Sequence, residues 1–371
     1  MAPAHRPISA PGLVACLLGV LAACTASEPS PPVVPRSPLP SAATPSAAPS
    51  ESPSPTASAT PSASPEPEAE HELRMESFAV PAGSRPHDVA PATDGGVWYV
   101  AQQTGRLGWL DPQNGEVREI PLGAESQPHG VIVGPDGSPW ITDGGLNAIV
   151  TVDPETEAVT VHRLPADAPP NANLNTATFD DEGILWFTGQ AGIYGSLDPE
   201  TGEIAIYDAP DGGGPYGIST TPDGDVYFSA LAGSYLGAID TETGAVDVIE
   251  TPTPGGGARR VWPDSDGRLW VTEWDAGLLA MYDPSDESWR EWPLPGDSPM
   301  PYAVYVDETD AVWVTDFGAN AMVRFDPQTE TFMSLAHEST PAQVRQLLGR
   351  EGEVWGAESA ADRLVVVRFG P

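Results

Sequence analysis

The stretch PDGSPW, at Pro135–Trp140, decides the fold because variants of it recur through most of the chain. Each copy joins a turn rich in Asp and Gly to an apolar residue and an aromatic residue that begin a strand. The other copies are TDGGVW, DEGILW, PDGDVY, SDGRLW, ETDAVW and REGEVW. The aromatic residues that end the copies lie 41 to 46 residues apart, at Trp98, Trp140, Trp186, Tyr227, Trp270, Trp313 and Trp355.

A second turn follows each of the first six copies, as in LDPQNG, VDPETE and FDPQTE, and each unit then closes with a short alternating strand. Units of this length, rich in β-branched and aromatic residues, are typical of propeller blades. Helical periodicity is absent, which argues against a helical solenoid. We therefore predict an all-β fold over residues 71–371, a seven-bladed β-propeller of four-stranded antiparallel blades.

The two ends of the repeat region predict how the ring closes. The last unit stops after RLVVVRF and lacks a fourth strand, whereas an unassigned strand, LRMESFAVP, precedes the first unit. We predict that Leu73–Val80 pairs with the last blade as its missing strand.

The first 70 residues have the composition of an export signal followed by a linker. Arg6 precedes a short apolar run that ends in LAAC, at Leu21–Cys24, which resembles the lipobox of bacterial lipoproteins. We predict a signal peptide over 1–23, a lipidated Cys24 and a disordered tether over 24–70, because that segment is nearly all Pro, Ser, Ala, Thr and Glu. This predicts an extracytoplasmic protein, anchored by lipid to the outer face of the cell membrane. An ordinary secretory signal is the alternative.

The charge of the chain limits its partners. The formal net charge is −37, and all 16 basic residues are Arg. Because such a field repels polyanions, we predict no nucleic-acid partner and membrane contact through the lipid anchor only. The lack of Lys excludes Schiff-base catalysis. We also expect a monomer.

The propeller topology brings the start of each inner strand and the end of the next strand to one mouth of the central axis. Counting back eleven residues from each repeat aromatic gives the residues expected to ring this mouth: His87, His129, Asn175, Tyr216, Arg259, Tyr302 and Val344. Counting forward three gives those expected just behind them: Ala101, Asp143, Gly189, Ala230, Glu273, Asp316 and Glu358. We take Asn175, Tyr216, Arg259 and Tyr302 as candidates for substrate binding.

The starts of the inner strands, PHG and PYG, and the ends of the second strands, WITD, WVTE and WVTD, resemble those of the virginiamycin B lyase-like, or streptogramin lyase-like, propellers. The resemblance extends from about Leu73 to Phe369. It implies a carbon–oxygen lyase that eliminates across an ester of a cyclic depsipeptide, using bound Mg²⁺ and a histidine base.

The same resemblance assigns expected roles to the RPH motif at Arg85–His87 and the QPHG motif at Gln127–Gly130. It makes His129 the base, His87 the supporting histidine, and Asp143 and Gln127 the positions of the metal ligands. Gln127 stands where the family has a Glu, which removes a carboxylate from a cation that prefers oxygen anions. Asn175 stands where the family has a Tyr.

Three functions remain open at this point. The first is the Mg²⁺-assisted lyase, acting on a small cyclic ester, and Glu273, Asp316 and Glu358 are alternative metal carboxylates for it. The second is a non-catalytic propeller that binds a peptide, a glycan or a protein at its mouth. The third, a calcium-dependent lactonase, would need several axial carboxylates and ranks last. The histidines could instead cap the inner strands. Arg259 and Arg260 fit either a clamp on an anionic group or a salt bridge to Glu273.

Overall fold

A computed structural model of the chain describes residues 73–370. The predicted signal peptide, the lipidated Cys24 and the tether lie outside the described residues. Within residues 73–370 the secondary structure is 28 strands and a single turn of 3-10 helix, Pro210–Gly212. No helix in this part of the chain has the length and apolar character needed to cross a membrane.

Seven four-stranded antiparallel sheets form the blades of the propeller, as the repeats predict. The first blade contains β2 (Pro86–Pro91), β3 (Val97–Ala101), β4 (Arg106–Leu110) and β5 (Val117–Pro121). The second contains β6 (Pro128–Val133), β7 (Pro139–Asp143), β8 (Ala148–Val152) and β9 (Val159–Arg163). The third contains β10 (Leu174–Phe179), β11 (Leu185–Gly189), β12 (Ile193–Leu197) and β13 (Ile204–Asp208).

The next three blades repeat this order. The fourth contains β14 (Pro215–Thr220), β15 (Val226–Ala230), β16 (Tyr235–Ile239) and β17 (Val246–Glu250). The fifth contains β18 (Ala258–Pro263), β19 (Leu269–Glu273), β20 (Leu278–Asp283) and β21 (Ser288–Pro293). The sixth contains β22 (Pro301–Val306), β23 (Val312–Asp316), β24 (Ala321–Asp326) and β25 (Thr331–Ala336).

The seventh blade closes the ring with a strand from the other end of the described chain. Its strands are β26 (Val344–Arg350), β27 (Glu353–Glu358), β28 (Arg363–Arg368) and β1 (Arg74–Ala79). Strand β1 pairs antiparallel with β28, from Arg74 opposite Arg368 to Ala79 opposite Arg363. The predicted closure is therefore confirmed.

The repeated turn before each aromatic residue is stabilised by side-chain hydrogen bonds. In the third blade the Asp180 carboxylate accepts the Glu182 and Ile184 amides, and it accepts the Trp186 indole N–H at 2.8 Å. Asp264 and Trp270 form the same indole contact in the fifth blade, at 2.9 Å. In the third, fifth and sixth blades, where an Asp precedes the Trp by six residues, one carboxylate thus fixes both the turn and the first core aromatic.

The core consists of apolar layers between neighbouring blades. Between the first and second blades, for example, Trp98 and Leu107 pack with Val131 and Ile141. The inner strands are buried and contact the inner strands of adjacent blades all round the ring, including β26 against β2. This packing places the starts of seven inner strands around one mouth of the axis.

Candidate functional site

Each inner strand begins with a β-bulge that directs two successive residues toward the axis. In the first blade, Pro86 pairs with Ala101 but Val89 pairs with Tyr99, so the inner strand carries one extra residue. The same shift occurs in all seven blades. Bulges commonly redirect side chains beside functional sites. Here they place two layers of side chains in the channel, one from each of the two bulge residues.

In the second to fifth blades, the hydroxyl of the WxT motif, or of Ser229 in the equivalent YFS, holds the bulge and ties the blade to its neighbour. Thr142 Oγ1 accepts the Gly130 N–H at 2.9 Å and donates to the Asn175 carbonyl of the next blade at 2.6 Å. Gly130 is needed here, since a Cβ at this position would lie 2.6 Å from the Asn175 carbonyl oxygen. Equivalent contacts from strand to strand are made by Thr188, Ser229 and Thr272.

We expect Thr142→Val to destabilise the fold by about 1–3 kcal/mol, because it leaves a buried N–H and a buried carbonyl without this partner while keeping the side-chain shape. The midpoint of urea unfolding measures the change. Thr160→Val is the matched control, because Thr160 is exposed on the outer strand of the same blade. Equal midpoints for the two variants would contradict this account of the motif.

The upper layer of the mouth brings together the residues that the repeat count selects, with one correction. His87, His129, Asn175, Tyr216, Arg259 and Tyr302 all lie there. Val344, however, pairs with Glu358 and packs in an apolar cluster. The residue equivalent to His87 in the seventh blade is Arg345, because the loop between the first two strands of that blade is one residue shorter.

The rings of His87 and His129 are in contact, with their centroids 3.9 Å apart and their planes tilted by 43°. His87 Nδ1 also lies 2.7 Å from Asp88 Oδ1. Burial lowers the pKa of both imidazoles well below the ordinary histidine value. The guanidiniums of Arg345 and Arg260 lower the pKa of His87 further. Both histidines are therefore neutral at neutral pH.

The tautomer of His129 follows from its backbone partner. His129 Nδ1 lies 3.1 Å from the Asn175 carbonyl oxygen, which can only accept a hydrogen bond. Nδ1 therefore carries the proton, and Nε2 holds a lone pair. The Asn175 side-chain nitrogen lies 3.5 Å from that Nε2. Because Asn175 itself is fully buried, its observed role is to position His129; substrate contact by Asn175 stays a prediction.

Tyr216 and Tyr302 meet across the channel through a hydrogen bond between their hydroxyls. Arg259 covers this pair. Its guanidinium carbon lies 3.7 Å from the Tyr302 ring centroid and 4.7 Å from that of Trp274, and Nη2 donates to the Tyr216 hydroxyl at 3.0 Å. Burial raises the pKa of Tyr216 to about 12, so its hydroxyl is protonated. The two tyrosines and Arg259 form one aromatic and cationic wall of the mouth.

A lower layer of side chains, which the repeat count did not select, closes the channel beneath the upper one. It consists of Asp88, Thr176, Arg260 and Gln346. Arg260 spans the axis, with Nη1 donating to Thr176 Oγ1 at 2.7 Å, Nη2 donating to the Arg345 carbonyl at 3.3 Å and Nη2 lying 3.5 Å from Asp88 Oδ1. Gly130, Gly217 and Ala303 occupy this layer in the intervening blades, which leaves room for the larger side chains.

The expected metal positions, Asp143 and Gln127, are not arranged as a Mg²⁺ site. The Asp143 carboxylate is fully buried and accepts hydrogen bonds from the Ser126 hydroxyl and from the Gln127 and Leu146 amides. The Gln127 residue is exposed. Since Asp143 already uses both oxygens within the protein, this pair does not offer the free oxygen donors that Mg²⁺ requires.

Among residues 73–370, one group of metal-ligating side chains is close enough to share an ion: His87, Asp88 and His129. Two imidazoles and one carboxylate suit transition metals better than Mg²⁺. Asp88 is also paired with Arg260, a cation that would repel a metal. The donor set of the mouth therefore does not fit Mg²⁺, and Mg²⁺ binding stays an untested prediction.

The other second-strand carboxylates differ in their surroundings. The Asp316 carboxylate accepts the Met300 and Gly318 amides, and Glu358 accepts the Ser339 hydroxyl and lies 3.0 Å from His337. Glu273, by contrast, is fully buried and both of its oxygens lack a hydrogen-bond partner among the described residues. Arg259 and Arg260 do not form the salt bridge to Glu273 that the sequence left open.

We expect Glu273→Gln to remove a pH dependence of stability between about pH 4.5 and pH 7. Burial, with a smaller contribution from Glu291, raises the folded-state pKa of Glu273 from its ordinary value of 4.5 to about 7. The folded state therefore holds this proton more tightly, and the Glu273 contribution to stability is present at low pH and lost as pH rises through the window.

Urea unfolding midpoints across this pH range measure the effect. The wild type should lose stability relative to Glu273→Gln as pH rises, whereas the exposed control Glu200→Gln should not show this difference. Parallel pH profiles for wild type and Glu273→Gln would contradict the assignment.

A ring of seven four-stranded blades, with histidines, tyrosines and arginines around its axial mouth, defines the class of protein: a seven-bladed β-propeller with a polar axial mouth. The chain belongs to the virginiamycin B lyase family, whose family model matches residues 123–369. No curated protein matches the chain in a sequence search.

Solved structures share the fold at low sequence identity. A streptogramin B lyase is 23% identical with a TM-score of 0.74, over 80% of this chain and 98% of that one. A virginiamycin B lyase from Staphylococcus aureus is 20% identical with a TM-score of 0.74, over 80% of this chain and 99% of that one. YCF48, solved bound to D1 peptide, is 15% identical with a TM-score of 0.64, over 80% of this chain and 97% of that one.

Proposed function

We propose that the axial mouth binds a cyclic depsipeptide or a related cyclic ester and opens it by elimination, with His129 as the base. The observation that carries this proposal is the state of His129, a neutral imidazole whose Nδ1 is fixed on the Asn175 carbonyl while Nε2 keeps its lone pair. His129 is also partly exposed at the mouth, whereas His87 behind it is buried.

The proposed reaction needs only a proton acceptor and a site for developing negative charge. Nε2 of His129 takes the proton from the carbon next to a carbonyl, and the electron pair of that C–H bond forms a carbon–carbon double bond. The carbon–oxygen bond of the ester breaks and its electron pair leaves with a carboxylate. Contact with the ring of His87, which is itself neutral, orients the base without adding a competing positive charge.

We further propose that the protein acts outside the cytoplasm, held to the outer face of the cell membrane by lipid on Cys24 and a tether up to residue 70, and that it is a monomer. The sequence supports this through LAAC at Leu21–Cys24 and the Pro- and Ser-rich segment that follows. The family resemblance also implies assistance by Mg²⁺, but the proposed elimination does not rely on it, because the donors of the mouth do not fit this ion.

The test is to incubate the full chain with a cyclic streptogramin B-type depsipeptide and to follow the products by mass spectrometry. Elimination predicts a linear product of unchanged mass, whereas hydrolysis would give a product heavier by one water. Parallel samples with a chelator and with added Mg²⁺ test metal assistance. An intact depsipeptide in every sample would refute the lyase proposal for this class of substrate.

The second candidate is a propeller that binds a peptide, a glycan or a protein at the same mouth without catalysis. The observation that favours it is the lining, in which Arg259, Trp274, Tyr302 and Phe317 stack together. Arginine and bulky aromatic side chains are enriched in binding hot spots. A ligand that binds wild type and His129→Ala equally, and leaves unchanged, would favour this candidate over the lyase.

A further inference from the structure

The mouth carries positive charge in a chain that is otherwise strongly negative. The formal net charge is −37, yet Arg259, Arg260 and Arg345 converge on the axis. Among residues 73–370, the only carboxylate within 4.0 Å of any of these three is Asp88, beside Arg260. The charges of Arg259 and Arg345 are therefore not neutralised by a partner within the described protein.

Neutral aromatic rings hold Arg259 in place instead of a carboxylate. Its guanidinium carbon lies 3.7 Å from the Tyr302 ring centroid and 4.5 Å from that of Tyr216. Its Nε is buried and has no hydrogen-bond partner. Cation–π contacts orient a guanidinium but leave its charge and its planar N–H donors available to an anion.

Arg345 flanks the same tyrosine from the seventh blade. Its guanidinium carbon lies 5.6 Å from the ring centroids of both Tyr302 and Phe317, and its nitrogens lie 3.4 Å from the Tyr302 hydroxyl and from Gln343 Oε1. None of these partners is a carboxylate. Both arginines are partly exposed, so a ligand at the mouth can reach them.

The positive charge of these arginines lowers the pKa values of two neighbouring side chains, Tyr302 and His87. Burial alone would raise the pKa of Tyr302, but Arg259, Arg260 and Arg345 outweigh burial and hold the pKa of its phenol below the ordinary value. Burial is the largest cause of the lowered pKa of His87, and the same arginines lower that pKa further. A field of this sign disfavours a bound cation at the mouth and favours an anion.

We propose that Arg259 and Arg345 form a carboxylate-binding site beside His129. Planar guanidiniums pair with carboxylates through parallel N–H donors, and two of them oriented by aromatic rings lose little freedom on binding. This proposal rests on the proposed function in one respect: the elimination releases a carboxylate, and Arg259 and Arg345 would bind it. In that role the arginines stabilise negative charge on the leaving group, where the family resemblance would invoke a metal.

The test uses hippurate, a carboxylate next to an amide and an aromatic ring, and its neutral counterpart hippuramide. Each is titrated into the full chain by calorimetry, with inorganic phosphate in a separate arm. We expect saturable hippurate binding that weakens as salt is added, and hippuramide binding at least about tenfold weaker. Tryptophan fluorescence gives a second readout, because Trp274 stacks against Arg259.

Variants show whether the two arginines are responsible. Arg259→Met and Arg345→Met should each weaken hippurate binding by about tenfold or more, while Arg290→Met, on the exposed outer strand of the fifth blade, should leave it unchanged. Circular dichroism confirms that each variant is folded. Equal binding of hippurate and hippuramide, tighter binding of phosphate than of hippurate, or unchanged binding in both variants would overturn the proposal.

The test of the carboxylate site and the test of the lyase can give different results. If hippurate binds through the two arginines but no cyclic ester is opened, the carboxylate site stands and the lyase proposal falls. If the ester is opened but hippurate does not bind, or binds both variants as tightly as wild type, the lyase stands and the carboxylate site falls.

Discussion

Arg260→Met is expected to destabilise the folded chain by about 3–5 kcal/mol, because it leaves the buried carboxyl of Asp88 without its guanidinium partner. Arg260 and Asp88 are both almost fully buried, and Asp88 Oδ2 already lacks a hydrogen bond. Burial raises the pKa of Asp88, and Arg260 acts against that shift, so removing Arg260 also favours protonation of Asp88. The loss should be measured as a shift in the urea unfolding midpoint.

Two further variants show whether the effect comes from the buried pair. Arg290→Met removes an exposed guanidinium whose partner is Glu330, and it should cost less than about 1 kcal/mol. The double variant Arg260→Met with Asp88→Asn removes the unpaired charge and should recover part of the loss. An Arg260→Met midpoint close to that of Arg290→Met would show that the lower layer does not hold the ring together.

His129→Ala is expected to slow opening of the cyclic ester by about 10²–10⁴-fold, which is the usual contribution of a positioned general base. The loss should fall mainly on kcat, because the base acts in the transition state rather than in ground-state binding. Initial rates of linear product formation, followed by mass spectrometry over a range of substrate concentrations, separate kcat from KM.

His162→Ala is the matched control for this variant, since His162 lies on the outer strand of the same blade and stacks on Trp140. It should leave the rate unchanged. A His129→Ala protein that turns over as fast as His162→Ala would remove His129 from the role of base, even if the ester is still opened.

The fold could be predicted because each blade carries its own local signals. In the third, fifth and sixth blades an Asp and the Trp six residues later are joined by a hydrogen bond, as in Asp180 with Trp186, so there the sequence pattern is also a unit of structure. Ring closure was predictable for a similar reason. A blade short of one strand exposes an edge, and Leu73–Val80 is the segment whose pattern fits that edge.

The upper layer of the mouth could also be predicted, because identical blades place equivalent residues at equal distances from the axis. Counting from the repeat aromatics found His87, His129 and Tyr302. The count failed only in the seventh blade, where a loop shorter by one residue makes Arg345, rather than Val344, the equivalent position. A fixed count cannot detect such a deletion.

The lower layer could not be predicted from alternation of side chains along a strand. A regular strand would turn Asp88 and Arg260 away from the axis if His87 and Arg259 point toward it. The bulge at the start of each inner strand cancels that alternation. In the fifth blade the bulge is held by a hydroxyl in the neighbouring strand, that of Thr272 beneath Arg260, so the residues that form the bulge belong to two strands.

The hydrogen bonds that occupy the Asp143 carboxylate could not be predicted from the sequence either. A carboxylate at the end of a WxTD motif looks available for a metal when only the sequence is read. In the fold, backbone amides of two loops and the Ser126 hydroxyl converge on it. Whether a carboxylate is free depends on these non-local donors, which the pattern of one strand does not reveal.

The central claim is that the His129 ring is neutral and carries its proton on Nδ1, and nitrogen-15 NMR of the histidine rings measures both properties most directly. We predict that His129 carries its proton on Nδ1, that Nε2 is unprotonated, and that the ring stays neutral as pH is lowered through and below the ordinary histidine pKa, because burial and the neighbouring His87 lower the pKa of His129. A His129 ring that is protonated on Nε2, or that titrates at the ordinary histidine pKa, would contradict it.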